Sequence, residues 1–147
     1  MADDRPLFGE LERLTTRLAA AVDLRLRREL GLPLALFEPM SVIASRDICR
    51  IHDLAAELGV SSSSASKLVD RLEVRGHCRR LANPADRRSA LLTLTPAGTA
   101  LLATAERAVD AELADMLGAR LSAAKAAELT ALLRGLRATL RAPLRGI

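Results

Sequence analysis

Apolar residues recur at three- and four-residue intervals along most of the chain, interrupted once by two short runs of strand-like alternation. Leu7, Leu11, Leu14, Leu18, Val22 and Leu26 form one stripe, which predicts a long amphipathic helix over about residues 6–30, ended by Gly31 and Pro33. A second, shorter helix carries Leu36, Phe37, Met40, Ile43 and Ala44 but has Pro39 inside it. Proline lacks an amide donor and clashes with the carbonyl four residues back, so this pattern predicts a kink there or a helix that starts later. After the apolar run Ile48 to Ile51, the segment Asp53 to Val60 reads as one compact helix with Gly59 at its end.

The run Ser61-Ser62-Ser63-Ser64 looks like a linker, but Ala65, Leu68, Val69 and Leu72 extend directly from it at helical spacing. The serines therefore begin a helix, capped by Ser61 or Ser62 and closed by Gly76. Opposite the apolar stripe lie Ser62, Ser63, Ser66, Lys67 and Asp70, with Arg71 at the flank. Short hydrogen-bonding side chains followed by cations suit an anion or a base edge. Ala55 lets this helix approach the one before it, and Gly59 allows the sharp turn between them, giving a helix-turn-helix. His77 to Ala82 and Ala90 to Leu94 then read as the strands of a hairpin whose turn opens at Asn83-Pro84.

From Thr95, an N-cap followed by Pro96, the helical spacing resumes through Leu101, Leu102, Ala105, Val109, Leu113 and Leu117 to about Gly118. Ser122 caps a last helix that carries Leu129, Leu132, Leu133, Leu136 and Leu140. These terminal stripes present more apolar surface than a small reading head can cover, so pairing with a second copy is expected. The fold class is mainly α with a small β wing: a winged helix-turn-helix at 33–95, with long amino- and carboxy-terminal helices at 1–32 and 96–147 for dimerisation.

Charge sharpens this picture. Between Arg75 and Arg88 stand five arginines (75, 79, 80, 87 and 88) and one acid, Asp86, so this segment carries +4 and the rest of the +4 chain sums to zero. A charge concentrated on a protruding hairpin suits a polyanion better than a small acidic substrate, because several phosphates neutralised together release condensed counterions. Half of the 147 residues are hydrophobic, yet the aromatics are only Phe8 and Phe37, so the core must be Leu, Ala, Val and Ile. No apolar run approaches the roughly 20 residues that span a bilayer, and the start lacks a signal-peptide layout, which predicts a cytosolic protein without membrane contact. Cys49 and Cys78 lie far apart in sequence with no CxxC, a pattern of buried thiols rather than a metal site. No catalytic cluster, cofactor motif or phosphate loop stands out, so no enzyme is expected.

The segments LAAELGVSSSSASKLVDRLEVRG (Leu54 to Gly76) and NPADRRSALLTLTPAG (Asn83 to Gly98) resemble the MarR family of winged helix-turn-helix transcriptional regulators, including the Asp-x-Arg wing signature at Asp86 and Arg88. The resemblance implies a homodimer whose first and last helices interlock and which binds an inverted-repeat operator in double-stranded DNA, as a repressor released by a small-molecule effector. It places Ser62, Ser63, Ser64, Ser66 and Lys67 at the major groove and Arg71 at phosphate. Arg87 or Arg88 would reach the minor groove, with Asp86 bracing the wing; Arg79 and Arg80 complete the expected DNA-binding set. Relatives often carry arginine at position 62 and apolar residues at 77 and 78, where this chain has Ser62, His77 and Cys78. In the family's arrangement Cys49 and Cys78 would flank a third strand, too far apart for an easy disulfide. No motif marks an effector pocket. The alternative reading is a helical interaction protein that docks an acidic partner through its basic hairpin.

Overall fold

The structure is a computed structural model and describes residues 3–140. The element order is α1 (Arg5–Leu30), α2 (Leu34–Ala44), α3 (Ile51–Leu58), α4 (Ser62–Val74), β1 (Cys78–Leu81), β2 (Leu91–Leu94), α5 (Pro96–Leu117) and α6 (Ala123–Leu140). These elements fall into two compact units, residues 1–112 and residues 113–147; the first two and the last seven residues of the expected dimerisation region lie outside the described residues.

In the first unit, α1 hands over to α2 through Asp23. Its carboxylate accepts from the Leu34 amide at 2.9 Å and from Arg27 Nε at 2.8 Å, joining the last turns of one helix to the first amide of the next. Of the two outcomes expected from Pro39, a kink or a later start, the later start does not occur: α2 starts at Leu34 and runs through Pro39 to Ala44. Two physical reasons account for this. Pro39 is fully buried in the apolar core, and the carbonyl left without its helical donor belongs to Ala35, which is exposed to water. Leu26, Leu36, Met40, Leu54, Val69 and Leu72, drawn from α1 to α4, and Leu32 between α1 and α2 are all completely buried. Each contributes about 1.5–3 kcal/mol by leaving water.

α3 begins at Ile51, two residues before the start expected from sequence, because the Asp53 carboxylate accepts from both the Arg50 amide and Arg50 Nε at 3.0 Å and so closes a first turn ahead of it. The turn into α4 follows the expected chemistry: Ala55 is buried, Gly59 takes φ +68°, and the Val60 amide donates to the Ala55 carbonyl. β1 and β2 pair antiparallel with Cys78 opposite Leu94 and Arg80 opposite Leu92, each strand slightly shorter than its alternating run. Arg50 bridges to Leu91, and the Leu92 amide donates to the Cys49 carbonyl. β2 therefore lies between β1 and the Cys49 segment, with one free buried thiol on each side of it. Burial pushes both thiols above the usual cysteine range.

The wing is tied to α5 at its base. Thr95 Oγ1 caps α5 by accepting from the Gly98 amide and donates to the Gly76 carbonyl. A Cβ at Gly98 would overlap the His77 carbonyl oxygen, so only glycine lets α5 start against the backbone that enters β1. In the second unit, Ser122 caps α6 as expected, accepting from the Lys125 amide. No residue of α6 is buried, and Leu129, Leu132, Leu133, Leu136 and Leu140 are exposed. Among the described residues, no helix is long and apolar enough to cross a membrane.

Candidate nucleic-acid interface

The amino end of α4 is built by its own serines. Ser61 is the cap: its hydroxyl oxygen accepts from the Ser64 amide at 3.1 Å, and its hydroxyl donates to Ser64 Oγ at 3.0 Å. Capping removes Ser61 and engages Ser64, and it leaves Ser62 and Ser63 exposed at the start of the helix. Ala65, Val69 and Leu72 are buried on the opposite side. The side chains with chemistry thus stand on a face whose back is locked into the core. Ser66 is half-buried, whereas Lys67, Asp70 and Arg71 are exposed further along α4.

The wing turn is braced by Asp86. Its carboxylate accepts from the Arg88 amide at 2.9 Å and from the Ser89 hydroxyl at 3.3 Å, while the Asp86 amide donates to the Asn83 carbonyl. Asn83 also folds the turn upon itself, its side-chain oxygen accepting from the Ala85 amide. The effect is to hold residues 83–89 in one shape while Arg87 and Arg88 stay exposed.

Adjacent arginines on β1 have separate fates. Strand alternation places Arg80 on the same face as buried Cys78 and Arg79 on the opposite face. Arg80 turns to α4, with Nη2 at 2.8 Å from Asp70 Oδ1 and Nη1 paired to Glu73 Oε1. Nη2 also donates to the Ser66 carbonyl and hydroxyl at 3.2 and 3.1 Å. By contrast, among the described residues the side chains of Lys67, Arg71, Arg79, Arg87 and Arg88 have no hydrogen-bond or ion-pair partner. Five uncompensated cations on one helix and its adjoining hairpin produce a local positive field suited to phosphate.

Sequence reasoning missed Arg50. It forms one wall of a cleft of about 340 Å³ together with His52, Arg80, Asp86, Arg88 and Ser89. Its role as the residue closing the first turn of α3 depends on Asp53 at the third helical position, a local signal that the pattern Arg50-Ile51-His52-Asp53 contains. Its place beside the wing depends on the pairing with Leu91, which the sequence does not announce. Among the described residues no group of three His, Cys, Asp or Glu could hold a metal ion.

Residues 33–90 match the family model described as MarR family. Over 106 residues the chain is 37% identical to "Putative transcriptional regulatory protein for hcr operon" of Thauera aromatica, a stretch covering 72% of this chain and 63% of that protein; the chain thus spans less than two thirds of that relative. Among solved structures, a mutant MarR from E. coli complexed with operator DNA superimposes with a TM-score of 0.79 at 26% identity, over 90% of this chain and 94% of that one. A MarR family transcriptional regulator from Streptomyces coelicolor in complex with DNA gives a TM-score of 0.79 at 23% identity, over 92% and 86% of the two chains, a likeness of fold. The architecture is a winged helix-turn-helix, mainly α with a small β wing.

Proposed function

We propose, from the premise that residues 33–90 make this chain a MarR-family protein, that it is a transcriptional regulator that binds duplex DNA as a homodimer. The family consists of transcription regulators rather than enzymes. The observation that carries the reading is the set of unpartnered cations on α4 and the wing, beside the exposed serines at the amino end of α4. Ser62, Ser63, Ser64, Ser66 and Lys67 face the major groove, Arg71 and Arg79 meet phosphate, and Arg87 or Arg88 enters the minor groove from a turn that Asp86 keeps in shape.

Residues 33–95 form the DNA-binding region; 1–32 and 96–147 form the dimerisation region, where the exposed leucines of α6 meet a second copy. The E. coli relative is solved on operator DNA, which supports an operator as the target here. A two-fold dimer puts its α4 helices in successive major grooves, so the operator is an inverted repeat with half-site centres about 10 base pairs apart. Binding there represses transcription, and a small-molecule effector releases the protein. It acts in the cytoplasm.

Selection of bound fragments from random duplex DNA tests this reading. A palindromic consensus is expected, and inserting five base pairs between its halves should abolish tight binding by placing them on opposite faces of the duplex. Unchanged affinity for the expanded site would refute paired reading, and the absence of any DNA preference would favour an acidic protein partner for the hairpin.

A further inference from the structure

A helix that meets a polyanion gains nothing electrostatically from carboxylates, yet α4 carries Asp70 and Glu73. Both face Arg80. The guanidinium spans two turns of α4, reaching Ser66, Asp70 at i+4 and Glu73 at i+7. This is the only arginine of the basic hairpin whose side chain bonds to α4 among the described residues. Its side chain is 26% exposed, well shielded by comparison with the open arginines of the wing. A forked, planar group engaging two carboxylates and a carbonyl fixes both distance and direction, which a flexible lysine would not.

From this geometry we infer that Arg80 is a positioning residue that sets the wing on α4 through Asp70 and Glu73 and does not itself contact DNA. The inference rests on the proposed DNA-binding function and changes the expectation that all of the hairpin's arginines meet the duplex. The serine head of α4 and the wing tip read different grooves, so their offset decides whether both can engage one half-site together. The clasp fixes that offset from the middle of β1, leaving Arg87 and Arg88 free at the tip. Arg80 also neutralises part of the negative charge that Asp70 and Glu73 would turn toward phosphate.

The double variant Asp70→Asn, Glu73→Gln separates the alternatives. It adds two units of positive charge to each protomer and releases Arg80, so a DNA-contacting Arg80 predicts tighter binding on operator and scrambled duplex alike, with their ratio unchanged. A positioning Arg80 predicts that affinity for the selected operator relative to a scrambled duplex falls by about tenfold, the order of one charge-assisted contact. Preference for A·T pairs flanking the half-sites should fall with it.

The triple variant that adds Arg80→Met completes the test. With both carboxylates removed and Ser66 its only remaining partner on α4, Arg80 no longer sets the wing, so the triple should match the double in its preference for operator over scrambled duplex. A triple whose operator preference falls several-fold below the double's would show Arg80 acting without the carboxylates and would overturn the inference. An operator-to-scrambled ratio that the double leaves unchanged would also overturn it. Wild-type protein that binds no duplex in a salt-dependent way would overturn the DNA-binding reading itself, an outcome distinct from either.

Discussion

The reading head and the last helix treat the same residue type in opposite ways. Leu26, Leu32, Leu36, Leu54 and Leu72 vanish completely into the head, whereas Leu129, Leu132, Leu133, Leu136 and Leu140 of α6 stand exposed at 39% to 80%. α4 can present polar groups on one face because the other is anchored; α6 presents leucines that a single copy leaves uncovered. The head packs its leucines within one chain, whereas those of α6 would be covered only in the proposed homodimer. Exposed apolar stripes of this kind mark interaction surfaces.

Core truncation should give the largest effect on the head alone. Leu72→Ala should cost about 2–5 kcal/mol of unfolding free energy, seen as a lower denaturant midpoint, with the sedimenting mass at micromolar concentration unchanged. The complementary change, Leu133→Glu, should act on association: the wild type should sediment at twice 15.8 kDa and the variant as a monomer. Each leucine removed from the interface forfeits about 1.5–3 kcal/mol of burial. If Leu133→Glu remained dimeric and Leu72→Ala dissociated, the contrast between the regions would be reversed.

The elements were most legible where the signals are local. Gly31 after the first stripe, Thr95-Pro96 and Ser122 each place a helix end through a cap or a backbone constraint within a few residues, and the structure puts α1, α5 and α6 at those ends. The serine head was legible for the same reason. Pro39 did not delay the start of α2, because its cost depends on the surroundings of the abandoned carbonyl, which is a tertiary fact. Arg79 and Arg80 differ by strand parity, readable in principle from the alternation of β1, but the partners of Arg80 lie on another element. Arg50 beside the wing was likewise set by the bridge to Leu91.

Smaller effects test the local devices of the head. Ser61→Ala removes the cap of α4 and should cost about 1 kcal/mol in thermal or denaturant unfolding, whereas Ser62→Ala should leave stability nearly unchanged. Asp23 and Asp53 are held below the ordinary aspartate range, the first chiefly by the Leu34 amide and the second by the Arg50 side chain. Because these pKa values fall on folding, their contribution is present above the unfolded aspartate pKa and is lost as pH drops through the lowered values. Asp23→Asn should therefore be less stable than wild type at neutral pH and converge with it in acid. A gap that persists undiminished in acid would show that the amide bond, not the charge, is what α2 uses.

The central claim is that the unpartnered cations of α4 and the wing contact DNA phosphates, and the slope of log affinity against log salt measures this most directly. Each phosphate neutralised contributes about 0.9 to that slope, so Arg71→Ala, which removes one contact from each protomer, should make it shallower by roughly 2 for the dimer, equally on operator and scrambled duplex. A slope near zero for the wild type, or one that Arg71→Ala leaves unchanged, would contradict the account.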